Sequence, residues 1–197
     1  MDVAIVKYNA GNIFSVVNAL RRLGIEPEIT DDAEKLQKVD RVLFPGQGHA
    51  KTTMDYLRDH HLDKIIQDLR QPVLGICVGM QLLCSHSEEG DTDCIGVFPA
   101  EVKKFKPQHQ EDKVPAMGWN SLYDIDDVLF RGIDNGDFSY FIHSFYVPTC
   151  EYTIAKTSYI LPYSAAMHKD NFWATQFHPE KSGKIGEQIL TNFLNIY

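Results

Sequence analysis

The amino-acid sequence predicts an α/β protein with a doubly wound, mostly parallel sheet and added antiparallel edge strands. Three observations predict it. In the first part of the 197 residues, short apolar runs alternate with stretches of helical periodicity, the pattern of parallel strands joined by crossover helices. Around Cys77 one such strand runs into a glycine-flanked turn and then into good helix formers. From Ile95 onward the pattern changes to closely spaced strand-like runs with few helical stripes between them, as antiparallel strands require.

The elements follow in order. Residues 3–6 are an apolar first strand, and 9–12 a loop rich in small polar residues. Ile13, Val16, Val17, Leu20 and Leu23 form a helical stripe that Gly24 closes. Residues 26–29 read as a short strand, Asp31 and Asp32 start a small helix to Lys38, and 41–44 is the next strand. That strand ends in Pro45-Gly46-Gln47-Gly48. Two glycines near a proline usually mark a plain turn, but they also allow main-chain N–H groups to approach a ligand closely. Residues 52–58 and 63–69 read as helical turns and 72–74 as a buried strand. Residues 80–84 are expected to be helical, in an element ending towards Gly90. Later strands are expected at 102–105, 119–123, 140–147, 154–157 and 165–168, added to the edge of the sheet, and a further strand at 172–177. One domain over residues 1–197 is therefore expected. A last helix over 184–197 places Ile185, Ile189, Leu190, Phe193 and Leu194 on its core face.

Composition narrows the function. The chain is 44% hydrophobic and 23% charged, ordinary for a soluble globular protein. A net charge of −8 without a sizeable basic cluster argues against a nucleic-acid partner. There is no secretory signal and no apolar run long enough to span a membrane. Cys77, Cys84, Cys94 and Cys150 have no Cys-x-x-Cys spacing, so no zinc site or disulfide framework is expected, and a reducing cytoplasm is.

The chemistry is concentrated in two stretches. Gly75-Ile76-Cys77-Val78-Gly79-Met80-Gln81 has the small-x-nucleophile-x-small pattern of a nucleophile elbow. So sharp a turn strains its central residue and excludes bulky side chains two positions to either side, which calls for Gly75 and Gly79. It lifts the Cys77 sulfur above the sheet at a helix N-terminus, where the dipole favours the thiolate. The ordinary alternative is a buried structural cysteine. The second stretch is Ala174-Thr175-Gln176-Phe177-His178-Pro179-Glu180. His178 and Glu180 lie just past a strand end, where α/β active sites collect. Their spacing suits a shared face of an extended segment, and Pro179 stiffens it. A base that takes the thiol proton and a carboxylate that orients the imidazole complete a nucleophilic triad of Cys77, His178 and Glu180.

Gly75-x-Cys77-x-Gly79-x-Gln81 with His178-Pro179-Glu180 resembles the class I, or triad, glutamine amidotransferases, whose sheet is flavodoxin-like. The resemblance covers nearly the whole chain. Within that superfamily Pro45-Gly46-Gln47-Gly48-His49, Pro115-Ala116-Met117-Gly118-Trp119-Asn120, His143-Ser144-Phe145-Tyr146 and Pro179-Glu180-Lys181-Ser182 resemble the glutaminase subunits of imidazole glycerol phosphate synthase. The chain departs from that pattern at Lys7 and Asn9, at Gln47 and at Ala116, and none of these is a catalytic side chain. The resemblance implies an oxyanion hole from the Val78 N–H and the Gly46-Gln47-Gly48 loop, with Gln47 or Gly48 as the donor there. It implies glutamine binding by Gly46, Gln81, Glu89, Ser144 and Phe145, with Glu89 on the α-amino group. It implies no metal or redox cofactor. It also implies a (β/α)8-barrel cyclase subunit as partner, forming a heterodimer through Asn12, Trp119, Asn120 and Lys181. For Trp119, a place in the core is an even alternative. Three rivals stand beside this reading: another triad amidotransferase subunit such as an anthranilate synthase component, a cysteine hydrolase or redox protein on a flavodoxin-like fold, and a non-catalytic interaction subunit.

Overall fold

The structure is a computed structural model that describes residues 1–8, 13–46 and 48–196. The alternation in the first part of the chain becomes β1 (Val3–Val6), α1 (Phe14–Arg22), β2 (Glu28–Thr30), α2 (Ala33–Lys38), β3 (Arg41–Gly46), α3 (Ala50–Asp59), α4 (Leu62–Asp68) and β4 (Val73–Cys77). The elbow helix α5 (Val78–Leu82) follows, then β5 (Cys84–Ser87), β6 (Thr92–Asp93), β7 (Phe98–Lys104), β8 (Ala116–Ser121), β9 (Phe138–His143) and β10 (Phe145–Tyr146). The chain ends in β11 (Thr153–Tyr159), β12 (Leu161–Lys169), β13 (Phe172–Thr175) and α6 (Gly183–Leu194).

The central sheet has seven strands in the order β11-β12-β13-β4-β3-β1-β2. Pairing is parallel from β13 through β4, β3 and β1 to β2, and antiparallel at β12 and β11. Apolar side chains alternate between its faces. Val3, Ile5, Leu43, Leu74 and Ile76 pack with Val16 and Leu20 of α1 and Ile189 and Phe193 of α6. Ala4, Val6, Val42, Phe44 and Val73 pack with Leu36, Met54, Leu57 and Ile66 of α2, α3 and α4. Helices thus cover both faces. Each such fully buried aliphatic chain stabilises the fold by roughly 1.5–3 kcal/mol.

Local signals account for several boundaries. Asp32 caps α2 by accepting from the Glu34 and Lys35 N–H groups. Gly24, at φ +79°, closes α1 while its N–H and that of Ile25 bond to the Arg21 and Leu20 carbonyls.

Three expectations are corrected. The elbow helix stops at Leu82 and does not run on towards Gly90. Cys84 instead begins β5, where it pairs with Phe98, so tertiary pairing overrides helix propensity. The later strands do not all extend the main sheet. Only β11, β12 and β13 join it, while β10-β7-β5-β6 form a four-stranded sheet and β8-β9 a separate pair. The last helix ends at Leu194; Ile185 is only half-buried but packs against the core as expected, with Gly186 buried beside it.

A polar staple ties the 3-10 turn Val128–Phe130 to the sheet. Asp127 accepts from Leu129 N–H at 2.8 Å, Trp173 Nε1 at 3.0 Å and His168 Nδ1 at 2.7 Å. The His168 ring stacks on Trp173 at 4.0 Å. Burial works against both charges. Hydrogen bonds outweigh it, holding the Asp127 carboxyl below and the His168 imidazole above their usual ranges. Replacing Asp127 by alanine strands the Trp173 and Leu129 donors and should cost about 2–4 kcal/mol. A depressed carboxylate contributes above its unfolded value of about 4 and loses its effect as pH falls; a raised histidine contributes below about 6.5 and loses its effect as pH rises through the folded value. The urea midpoints of parent and Asp127→Ala should therefore differ more at pH 5.5 than at pH 8.5. An equal gap at both would remove the ionic part of this account.

Candidate active site

The carboxyl ends of β3, β4 and β13 converge on Cys77. Its backbone has φ +55° and ψ −109°, a strained conformation for a side-chain-bearing residue. The flanking glycines are required by space. A Cβ on Gly79 would fall on the Phe44 carbonyl oxygen, one on Gly75 would lie 2.7 Å from Leu83 Cδ1, and one on Gly46 would overlap Val78 and Gly79. The elbow therefore forms only because three neighbouring backbones can touch. Cys77 itself is 4% exposed. Since α5 has only five residues, its contribution at the sulfur comes from first-turn N–H groups rather than from a long dipole.

His178 faces the thiol from beyond β13. Its Nδ1 bonds Glu180 Oε1 at 2.7 Å, and both side chains are 4% exposed. The carboxylate reaches the ring differently from the sequence expectation. His178 is extended, but Pro179–Lys181 is a 3-10 turn, so Glu180 folds back onto the imidazole instead of sharing an extended face with it. Proline at the first helical position pre-sets that turn. Ser182, missed in the sequence reading, clamps it: its hydroxyl donates to the His178 carbonyl at 2.7 Å and accepts from the Tyr140 N–H at 3.0 Å. The His178 N–H bonds the Tyr140 carbonyl at 2.9 Å.

Burial disfavours a charged His178. The negative charge of a Cys77 thiolate, its hydrogen bond and the Glu180 carboxylate outweigh that and push the imidazole up to about 10. Glu180 Oε2 is buried with no hydrogen-bond partner among the described residues, which leaves its charge directed at the ring. The other buried histidine, His143, behaves oppositely. Burial lowers it to about 4, and its nitrogens are engaged by the Phe145 carbonyl at 2.7 Å and the Tyr163 hydroxyl at 3.1 Å. It stays neutral and holds a pocket wall, so His178 is the ring able to move a proton.

A cavity of about 420 Å³ opens over Cys77, bounded also by Val78, Gly46, Gly48 and Ile142. Gln81, Glu89, Ser144, Phe145 and Lys181 line it as well. Two of these are partly engaged. Gln81 Nε2 donates to the Phe145 carbonyl at 2.9 Å and to Gln176 Oε1 at 3.0 Å, leaving its amide oxygen as the group able to face a ligand. Glu89 Oε2 accepts from the Ala50 N–H at 2.7 Å at the start of α3. Val78 is the first residue of α5, where helix geometry leaves N–H groups without intrahelical partners. Gly48 has φ +110°, a conformation that suits glycine. Gln47 and Asn12 lie outside the described residues.

Trp119 is 56% exposed and Met117 64%, so the core alternative for Trp119 is corrected. Alternation along β8 puts the half-buried Asn120 on the opposite face from Trp119, where its Nδ2 donates to the Ser158 carbonyl at 2.7 Å. Cys84 is fully buried and its thiol is pushed well up by burial; Cys94 is pushed up to about 12, chiefly by burial. No group of three or more His, Cys, Asp or Glu side chains among the described residues is placed to hold a metal ion.

A sulfur nucleophile that shares one proton with a buried imidazole can carry an acyl group and protonate a leaving amine, the chemistry of a cysteine amidohydrolase. The chain belongs to the class I glutamine amidotransferases, its residues 4–196 matching the family described as Glutamine amidotransferase class-I, and within them to the HisH subunits of imidazole glycerol phosphate synthase. It is 60% identical over 196 residues to "Imidazole glycerol phosphate synthase subunit HisH" of Bacteroides thetaiotaomicron, covering 100% of both chains. It is 44% identical over 197 residues to the protein of the same name from Idiomarina loihiensis, covering 100% of this chain and 98% of that one. Among solved structures it is similar to a glutamine amidotransferase (TM-score 0.74, 18% identity, 97% and 96% of the two chains) and to PurLQS from Thermotoga maritima (TM-score 0.72, 16% identity, 98% and 97%), which shows the shared fold.

Proposed function

We propose that this chain, as a single amidotransferase domain, hydrolyses glutamine to glutamate and ammonia through a Cys77 thioester and supplies the ammonia to a (β/α)8-barrel cyclase subunit of imidazole glycerol phosphate synthase. The observation that carries the reading is the strained Cys77 elbow with the His178–Glu180 pair set against it beside the cavity. The proton of Cys77 passes to His178, and the thiolate attacks the side-chain amide carbon. The oxyanion is held by the Val78 N–H and by the Gly46-Gln47-Gly48 loop, with Gln47 or Gly48 as donor. His178 gives its proton to the departing nitrogen, so ammonia leaves and a thioester remains. His178 then takes a proton from water, whose oxygen attacks the thioester, and glutamate leaves as the thiol re-forms. Glu180 keeps the ring oriented throughout.

Glutamine is oriented by Glu89 and the amide oxygen of Gln81, both acceptors suited to the α-ammonium, with Ser144 and Phe145 along its side. Gly46 must remain glycine for the chain to pass Val78 so closely. No metal or redox group is required by these steps. The four thiols are free, as a reducing cytoplasm would keep them, and no helix among the described residues is long and apolar enough to cross a membrane.

The cyclase is proposed to dock through the exposed Trp119, with the Asn12 loop and Lys181 as further contacts; Asn120, turned to the other face of β8 and bonded to Ser158, is left out of this surface. The Trp119 ring contacts Tyr140 edge-on at 6.0 Å, and Tyr140 of β9 holds the His178 backbone. Pressure on this face therefore reaches the triad through one strand. Trp119→Ala should weaken ammonia transfer to the partner by about tenfold while shifting the melting temperature little, since an exposed aromatic anchor contributes to binding more than to folding. A large loss of stability with coupling intact would return Trp119 to a folding role.

The test of the whole reading is glutamate release by the chain alone, with the barrel subunit, and with the barrel and its nucleotide ligand. A missing or misaimed oxyanion donor costs on the order of 10²–10³ in rate. Release should rise at each step, most on adding the ligand. Full activity in the isolated chain would contradict control through the Gly46-Gln47-Gly48 loop, and absence of release in every state would contradict the glutaminase reading.

A further inference from the structure

The fully buried Gln176 takes no part in the steps above, yet it lies against the nucleophile. Its Nε2 is 3.8 Å from Cys77 Sγ, within reach of a sulfur acceptor, and its Oε1 accepts from Gln81 Nε2 at 3.0 Å. Gln81 Nε2 also donates to the Phe145 carbonyl at 2.9 Å. A side-chain amide is ambiguous by itself because its two ends are alike in shape. This pair is not ambiguous. The Phe145 backbone oxygen can only accept, so Gln81 must present its NH₂ group there. The same NH₂ then fixes the oxygen end of Gln176, and the nitrogen end of Gln176 is left to point at sulfur.

A second contact shows what that nitrogen does. On its other side the Cys77 thiol donates to the Ile142 carbonyl at 3.8 Å. The two neighbours favour opposite protonation states. A carbonyl accepts from the thiol and repels a thiolate, whereas an amide N–H is a better partner for a thiolate. The balance between them shifts when the proton passes to His178.

We infer that Gln176 is a hydrogen-bond donor to the Cys77 thiolate, and that Gln81 serves it by locking the Gln176 amide in the donating orientation. The inference rests on the reading of Cys77 as nucleophile. It deepens that reading by making the wall of the glutamine pocket, through the Phe145 carbonyl, the anchor of the thiolate's environment. Burial of both amides excludes water that could replace the donor: Gln81 is 2% exposed and Gln176 0%. The titratable and charged groups facing the sulfur are His178, backed by Glu180, together with Tyr163 and His143 on the adjoining strands and Glu89 and Lys181 at the pocket wall.

The test is the pH profile of Cys77 alkylation by iodoacetamide in the full chain with its barrel partner, for the parent, Gln176→Met and Gln81→Met. Methionine keeps the length and volume and removes the amide. Loss of one hydrogen bond to a charged acceptor should move the alkylation midpoint up by about one pH unit in Gln176→Met and slow alkylation by about tenfold at pH values below that midpoint. Gln81→Met, which frees the Gln176 amide to turn, should shift the midpoint in the same direction by less. The KM for glutamine should change less than kcat in Gln176→Met. If Gln176→Met does not fold, the side-chain amide resonance of Gln176 in the parent decides: it should titrate with the same midpoint as Cys77 alkylation. A folded Gln176→Met with the parent's profile, or a Gln176 amide resonance indifferent to the Cys77 titration, would overturn the inference while leaving Cys77 the nucleophile. Glutamine turnover that survives complete alkylation of Cys77 would instead overturn the reading beneath it.

Discussion

Replacing Cys77 by serine should reduce glutamate release by at least about 10⁴-fold, since removal of a triad nucleophile leaves only what binding and the oxyanion site supply. Neither Cys84 nor Cys94 can stand in. Cys84 lies in β5, fully buried, with its ionisation suppressed by the same burial, and Cys94 is pushed up to about 12. Serine nearly preserves the volume at an elbow where Gly75, Gly79 and Gly46 already pack backbone against backbone, so the fold should survive. The variant is therefore expected to support the cyclase when free ammonia is supplied and to fail when glutamine is. Measuring product from both nitrogen sources separates a lost glutaminase from a lost subunit. Failure with ammonia as well would mean that the change had damaged the assembly. Glutamate release at the parent rate would exclude the thioester.

His178→Ala should be nearly as severe, and Glu180→Ala should retain about 10²-fold more activity than it. The difference follows from position. His178 alone can receive the thiol proton and return it to the leaving nitrogen, because His143 is held neutral with both nitrogens engaged. Glu180 acts only through the ring, and the Ser182 clamp on the His178 backbone persists without it. Charge adds a pH signature. The raised imidazole keeps its proton until pH approaches about 10, and activity should fall as pH rises through that range because the leaving nitrogen loses its proton donor. Glu180→Gln keeps the side-chain volume but removes the carboxylate that helps raise His178, so its alkaline limb should move to lower pH. Rate measurements across pH for parent and Glu180→Gln check this. Equal rate losses in the two alanine variants, or an unmoved alkaline limb, would leave base and orienter undivided.

What could be read in the sequence was what short stretches decide locally. Val3 and Ile5 turn to one face and Ala4 and Val6 to the other within a single short apolar strand, and Gly75 and Gly79 flank Cys77 within one turn, so the parallel sheet and the elbow were legible. Cys84 was misread because its pairing with Phe98 is tertiary and outweighs the helix propensity of Met80 to Leu83. The approach of Glu180 was misread because an extended chain and a 3-10 turn both place its carboxylate near His178, and Pro179 suits either. Trp119 and Trp173 look alike in sequence. One is exposed on β8 and the other lies under His168 in a central strand. Gln176 stood inside a motif whose histidine and glutamate drew the reading. Its partner Gln81 is 95 residues away, and nothing local announced the bond between them.

The central claim is that Cys77 alone attacks the amide carbon of glutamine. The most direct measurement is labelling of the chain, in complex with its barrel partner, by a glutamine analogue bearing a chloroketone in place of the side-chain amide. Peptide mass spectrometry then locates the adduct. One adduct per chain on Cys77, blocked by excess glutamine and abolished by Cys77→Ser, is the predicted result. An adduct on Cys84, Cys94 or Cys150 in preference to Cys77, or full glutamine turnover after Cys77 has been labelled, would contradict it.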